Sequence, residues 1–259
     1  MTALPPVSAP VPPASSVAQA AAWALVPCAG SGSRAGAGGL PKQYRDVAGR
    51  PLVLHTLAAF AGVARLRGIL VAVAPGDEFL RPYAEAFTLG GCGGATRAAT
   101  VRRGLDRLRH AGALDGDWVL VHDAARCLVT TAQIDALIDA CAGDPVGGLL
   151  AQPLADTLKE GSPPGPHGPR VERTLDRGGK WLAQTPQMFR LGALADALDR
   201  AGDEVTDEAS AFERLGLRPR LVPGSAQNFK VTWPEDFALA EALLSTRRIL
   251  SIASPSTSA

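Results

Sequence analysis

Lysine is scarce in this chain: Lys42, Lys159, Lys180 and Lys230 are its four, against 22 arginines. Where arginine is the default cation, a lysine either marks a place that wants a compact ammonium or is a chance survivor on a solvated surface. An excess of charge of either sign is also missing. The 26 Lys+Arg and 25 Asp+Glu leave a formal net charge of +1, which excludes a protein that coats nucleic acid through a global basic charge. Long hydrophobic runs are absent, because Pro, Gly, Asp or Arg interrupts every apolar stretch before the ~18–20 residues a bilayer span requires. Cysteine is limited to Cys28, Cys92, Cys127 and Cys141, with no CxxC pair and no histidine at zinc-ligand spacing. That suggests neither a disulfide framework nor a structural metal site, and it fits a reducing cytosol, so a cytoplasmic location is expected.

What remains is the composition of a globular protein able to bury a full core: 259 residues, 46% hydrophobic, 20% charged, mean hydropathy +0.08. Residues 1–20 are rich in Pro, Ser and Ala and carry no charged side chain, so they lack the basic start of a signal peptide. They are expected to be a disordered tail, as is the Ser/Pro-rich end over 249–259. A single domain is expected over 21–248.

Within it, short apolar runs alternate with helical patterns. Strands are expected at 23–27 and 68–74 with a helix over 51–63 between them, then a helix at 98–110, a strand at 117–122, a helix at 131–141 and a strand at 148–152. This βαβ rhythm predicts an α/β fold, a three-layer, mostly parallel sheet covered by helices. Residues 161–169 break the rhythm, since Pro lacks an N–H donor and Gly weakens order. With flanking β-prone segments they read either as a hairpin arm over 156–176 projecting from the sheet or as a plain surface loop. Helices follow at 191–200, 206–215 and 233–246, with short strands at 221–222 and 229–231. Thr206 and Asp207 are placed to cap the second of these helices, and Pro234 suits the first turn of the last.

Two stretches could carry chemistry. The first strand runs into Pro27, Cys28, Ala29, Gly30 and Gly32, with Arg34 and Lys42 on the same glycine-rich loop. Such a turn lets backbone N–H groups approach an anion, usually a phosphate. The Walker spacing is missing, and the dinucleotide fingerprint is met only loosely by Gly30, Gly32 and Ala35. A solvated loop is the alternative reading. The second stretch is Val121, His122, Asp123, Ala124, Ala125 and Arg126, where a strand ends in an acid at its carboxyl edge, the side on which open α/β sheets bind ligands. Asp123 there either orients a substrate hydroxyl, approaches a Mg²⁺ held mainly by phosphate oxygens, or caps a turn. No firm protein ligand for a metal is read. His122 reads as a packed strand residue.

Taken in order, these and five further motifs resemble the 2-C-methyl-D-erythritol 4-phosphate cytidylyltransferases. The motifs are Ala29-Gly30-x-Gly32-x-Arg34 with Leu40 to Tyr44, Val121 to Arg126, Asp156 to Lys159, Thr174 to Arg177, Gln184 to Gln187, Thr206 to Ser210, and Lys230 to Asp236. The resemblance implies a Rossmann-like nucleotidyltransferase fold and transfer of CMP from CTP to a polyol phosphate, methylerythritol phosphate, with Mg²⁺ and release of pyrophosphate. It implies a catalytic set of Arg34, Lys42, Arg177 and Lys230. Pro27, Cys28, Ala29, Gly30, Gly94 and Thr100 would form the nucleotide site, and Asp123, Thr157, Thr185 and Thr206 would surround the polyol phosphate. It also implies a homodimer in which Arg177 reaches the partner's site, and neither a nucleic-acid nor a membrane partner. Three positions depart from the family pattern: Ala95 and Thr96 stand where acidic residues are usual, and Cys127 where Pro is common. The rivals are a nucleotidyltransferase for another polyol phosphate such as ribitol phosphate, a catalytically silent nucleotide-binding protein, and a nicotinamide-dependent oxidoreductase.

Overall fold

The computed structural model describes residues 20–30, 39–163, 165–202 and 205–253. Expectations for Gly32, Arg34, Ala35 and the outer parts of both tails therefore fall outside the described residues. The elements in chain order are β1 (Ala22–Pro27), β2 (Asp46–Val47), β3 (Arg50–Pro51), α1 (Leu52–Ala61), β4 (Leu66–Ala72), β5 (Thr88–Gly90), α2 (Arg97–His110), β6 (Trp118–Val121) and α3 (Thr131–Cys141). They continue with β7 (Gly147–Pro153), β8 (Leu158–Gly161), β9 (Val171–Leu175), β10 (Trp181–Arg190), α4 (Leu191–Ala201), α5 (Glu208–Arg214), β11 (Arg220–Pro223) and α6 (Pro234–Ala253).

Seven strands form one sheet in the order β11-β7-β10-β6-β1-β4-β5. The β1–β4, β1–β6, β4–β5 and β7–β11 pairs are parallel, whereas β10 runs antiparallel to both β6 and β7. Side chains alternate faces along a strand, so a sheet covered on both sides needs apolar residues at every position of its central strands. In β1, Ala22, Ala24 and Val26 pack with α1 and α3, including Phe60, Leu57, Ile134 and Leu137. Trp23 and Leu25 face the other way, toward Val101 and Leu105 of α2, Leu194 of α4 and Phe212 of α5. Helix α2 lies close on β1 because Gly104 leaves room for Leu25, whose Cδ1 would sit 2.6 Å from a Cβ built there. Helix α6 covers a third cluster with Leu52, Leu128, Val231 and Phe237.

The expected three-layer, mostly parallel architecture is the observed one, and β8 and β9 pair as the antiparallel hairpin outside the main sheet. Three differences stand out. Residues 229–231 are not a strand; they run as a loop tied down where the Val231 N–H donates to the Ala125 carbonyl at 2.9 Å. Strand β10, which the sequence reading did not anticipate, occupies the middle of the sheet. Helix α6 continues to Ala253, seven residues beyond the expected end at Thr246.

Candidate active site

The carboxyl ends of β1 and β6 open onto a cleft of about 540 Å³, walled by Pro27, Cys28, Ala29, Gly30, Lys42, Gln43, residues 94–97, Thr100, Asp123, Ala124, Ala125 and Lys230. The turn after β1 is held from below: the Gln43 amide donates to the carbonyls of Cys28, at 3.1 Å, and Gly30, at 2.8 Å. Gly93 brings the second wall close. A Cβ there would lie 2.4 Å from that of Ala29 and 2.9 Å from the Val73 carbonyl, so a side chain would push apart the two loops that wall the cleft. Thr96 caps α2 by accepting from the Ala99 N–H at 3.0 Å. The Thr100 hydroxyl donates to the Thr96 carbonyl at 2.9 Å and accepts from the Gly94 N–H at 3.0 Å, so its proton serves the loop. The Cys28 thiol is buried and pushed up to about 12 by desolvation, which leaves it an inert wall.

A second, smaller cleft of about 180 Å³ adjoins the first and is lined by Arg97, Asp123, Arg126, Ala183, Gln184, Thr185, Gln187, Thr206, Asp207 and Lys230. Arg97, Asp123 and Lys230 therefore belong to both. The Asp123 carboxylate receives Arg97 Nε on one oxygen and Lys230 Nζ on the other, each at 2.9 Å, with Arg126 Nε at 3.7 Å from the second. These cations overcome desolvation and hold the carboxyl well below the usual carboxylate range. Arg97 in turn grips Glu208, 1% exposed, through Nη1 at 2.6 Å and Nη2 at 3.0 Å. Lys42 Nζ donates to the Val231 carbonyl at 2.7 Å, which sets it beside the Lys230 segment.

Beneath Asp123 lies a neutral support. The Asp123 N–H donates to the Thr185 hydroxyl at 3.0 Å. That hydroxyl can then donate to His122 Nδ1 at 3.1 Å, while Nε2 of the ring donates to the Arg126 carbonyl at 3.2 Å. Burial pushes the His122 pKa down to about 3, so the ring is neutral and acts as packing and scaffold. Gln187 and Gln184 are structural too. Gln187 Nε2 donates to Asp207 at 2.9 Å and its carbonyl accepts from the Ala209 N–H at 2.8 Å, docking α5 on β10. Gln184 Nε2 donates to the Ser225 carbonyl at 2.8 Å.

Of the residues read from sequence, the structure brings Pro27, Cys28, Ala29, Gly30, Lys42, Gly94, Thr100, Asp123 and Lys230 to the larger cleft and Thr185 and Thr206 to the smaller. Thr157 and Arg177 line neither; both are exposed beside the hairpin, where Arg177 donates to the Ala155 carbonyl. Arg97, Glu208 and Gln43 were missed as individuals, although Gln43 and Glu208 lie inside the motifs and Arg97 lies between Gly94 and Thr100. No local pattern could have paired Arg97 with Glu208, since they are 111 residues apart.

Asp123 does not fit a protein-held Mg²⁺ site: both its oxygens are engaged by cations, and no group of three His, Cys, Asp or Glu able to hold a metal occurs among the described residues.

A cationic cleft at the carboxyl edge of a mostly parallel sheet, continuous with a second polar cleft, is the arrangement of a nucleotidyltransferase. The sequence profile of the 2-C-methyl-D-erythritol 4-phosphate cytidylyltransferases matches residues 22–246, and the chain belongs to that family. It is 57% identical over 226 residues to the protein of that description from Laribacter hongkongensis, covering 85% of this chain and 95% of the relative. It is 63% identical over 228 residues to a bifunctional enzyme IspD/IspF of Albidiferax ferrireducens, covering 87% of this chain but 53% of that longer protein. A crystal structure of a 4-diphosphocytidyl-2C-methyl-D-erythritol synthase superposes with a TM-score of 0.76 at 38% identity, covering 87% of this chain and 98% of that one. The Thermus thermophilus cytidylyltransferase gives 0.69 at 35%, covering 86% and 98%.

Proposed function

We propose that the chain transfers the cytidylyl group of CTP to the phosphate of 2-C-methyl-D-erythritol 4-phosphate. An acceptor phosphate oxygen attacks the α-phosphorus, the bond from that phosphorus to the bridging oxygen breaks, and pyrophosphate leaves to give 4-diphosphocytidyl-2-C-methyl-D-erythritol. The single observation that carries this reading is the pair of adjoining clefts sharing Arg97, Asp123 and Lys230, which supplies room for two anionic reactants side by side.

In this reading the glycine-rich turn after β1 and residues 93–96 with Thr100 hold the nucleotide; Lys42 faces the charge that develops on the α-phosphate and the leaving pyrophosphate, a role that the sequence motif also assigns to Arg34. Lys230 holds the acceptor phosphate against the repulsion of the triphosphate, and Asp123, Thr185 and Thr206 fix the polyol hydroxyls. An ionised phosphate is already a nucleophile, so no strong general base is required, and His122 supplies none. Mg²⁺ arrives with CTP as part of the substrate, bound to its phosphate oxygens and neutralising them. Arg177 and Thr157 complete the site of a partner subunit in a homodimer. Their absence from both clefts of their own chain supports this, as do the exposed apolar residues Val171, Trp181 and Leu182 around the hairpin.

The test is pyrophosphate release from CTP with Mg²⁺, comparing methylerythritol phosphate, ribitol phosphate and no acceptor, with ATP and UTP as controls. Release is expected only with CTP and methylerythritol phosphate together. Release with ribitol phosphate alone would replace the acceptor, and CTP binding without turnover would make the protein a nucleotide-binding one.

A further inference from the structure

Arg97 lines both clefts and anchors its charge on the buried Glu208 carboxylate. Its guanidinium uses Nη1 and Nη2 on the buried Glu208 and Nε on Asp123, so all three of its nitrogens have a carboxylate partner. Glu208 is fixed in turn by its place in the first turn of α5, whose N-cap Asp207 bonds the Ser210 N–H at 3.0 Å and whose start is docked to β10 through Gln187. The chain of contacts therefore runs from a capped helix, through a bidentate ion pair, to the acid that meets Lys230. A planar fork makes such a linkage directional in a way a lysine ammonium cannot.

The alternative orientation of Asp123 is close at hand. Besides Arg97, the carboxylate has Lys230 Nζ at 2.9 Å and Arg126 Nε, buried and without a hydrogen-bond partner, at 3.7 Å. Turning toward Arg126 would satisfy that orphaned nitrogen and draw Asp123 away from the shared wall of the two clefts.

We propose that Arg97, braced by Glu208, is a positioning residue that holds Asp123 and thereby Lys230 in register for the acceptor, so that breaking the brace weakens acceptor binding selectively rather than nucleotide use. The proposal rests on the assignment of the smaller cleft to the acceptor. The nucleotide turn does not depend on the brace, since Gln43 and the close approach of Gly93 to Ala29 hold it.

Steady-state kinetics of Arg97→Lys, Glu208→Gln and Glu208→Asp test this, with melting temperature and direct calorimetric titration of CTP on each protein. Arg97→Lys and Glu208→Gln are expected to raise the KM for methylerythritol phosphate about tenfold or more while the KM and the affinity for CTP change less than about threefold. Glu208→Asp keeps the charge and is expected to recover most of the acceptor KM lost in Glu208→Gln. A parallel rise in both KM values, an unchanged acceptor KM in a folded variant, or a Glu208→Asp protein no better than Glu208→Gln would overturn the proposal. If Arg97→Lys fails to fold, the two Glu208 variants decide. A wild-type protein that turns over no acceptor while binding CTP instead defeats the functional reading on which the proposal stands.

Discussion

His122 sits next to Asp123, fully buried, with its ring 5.1 Å from that of Phe60. Desolvation is the dominant influence that lowers its pKa to about 3; Asp123 and the Arg126 carbonyl work in the opposite direction, and the charges of Arg126 and Arg97 add to the lowering. The unfolded chain takes up this proton near pH 6.5 and the folded one does not. Stability from the neutral ring is therefore complete above about pH 6.5 and is lost progressively as pH falls toward 3, by an amount on the order of a few kcal/mol. Asp123 shifts in the same sense, but its contribution begins to be lost only as pH falls through the ordinary carboxylate value of about 4, so the decline between about pH 6.5 and 4 belongs to the histidine rather than to Asp123. The expected result is a melting temperature that declines from pH 6.5 downward in the wild type and declines less in His122→Gln, followed by calorimetry at a series of pH values. An identical slope in the two proteins would mean that another group carries the acid sensitivity.

At the scale of elements, the site depends on how tightly the turn after β1 meets the segment leading into α2. Gly93→Ala inserts a methyl group where the Val73 carbonyl and the Ala29 Cβ leave no space, and its N–H must also keep the Val73 carbonyl at 2.8 Å. Backbone cannot yield as a side-chain tip does. The expected cost is about 1–3 kcal/mol of stability, together with a raised KM for CTP and a smaller change for the acceptor, measured by thermal melts and kinetics. Equal effects on both substrates would place the strain elsewhere.

The elements legible in sequence are those whose period was clear. Strands β1 and β6 are continuous apolar runs, β4 ends in one over Ile69 to Ala72, and α2 and α3 carry helical spacing, so their presence and type followed from pattern alone. Strand β10 was illegible because Pro186 and the polar Gln184, Thr185 and Gln187 break any period-two pattern. Its central place is secured by pairing on both sides and by side-chain bonds that no local reading contains, with a register irregularity between Ala183 and Gln187 that absorbs the proline. Residues 229–231 gave the reverse error: Phe229 and Val231 alternate as a strand would, yet Val231 is buried and Phe229 half-buried in the cluster under α6 rather than paired in the sheet. The site shows the same division. Lys42, Asp123 and Lys230 stand out by type and motif, while the coupling of Arg97 to Glu208 exists only once α2 and α5 pack on the same face of the sheet.

For the whole molecule, the decisive question is whether a site is made by one chain or two. Arg177 lies outside both clefts of its own chain, so a homodimer with exchanged arms predicts complementation in trans. Lys42→Ala and Arg177→Ala are each expected to be inactive as purified proteins. Mixed in equal amounts and allowed to exchange subunits, half of the dimers become mixed, and each mixed dimer has one site with both residues intact. Activity should return to about one quarter of the wild-type value. A mixture as inactive as its components, with exchange verified by mass spectrometry, would confine Arg177 to its own subunit or to no catalytic role.

The strand order has a further consequence, for the order of synthesis. Strand β7 pairs only with β10 and β11, both of which follow it in the chain, and β10 lies between β6 and β7. A nascent chain that has reached Pro153 can assemble β5, β4, β1 and β6 as a contiguous half-sheet, but β7 has no ladder partner until the residues from Trp181 onward leave the ribosome. During that interval β6 presents an unpaired edge and β7 its apolar Leu149, Leu150 and Ala151, the condition under which chains stick to one another. The site closes later still, because Lys230 lies beyond every strand of the sheet. The protein thus becomes foldable in halves but competent only after Lys230 has been made, and its most exposed moment falls while the hairpin arm is being made.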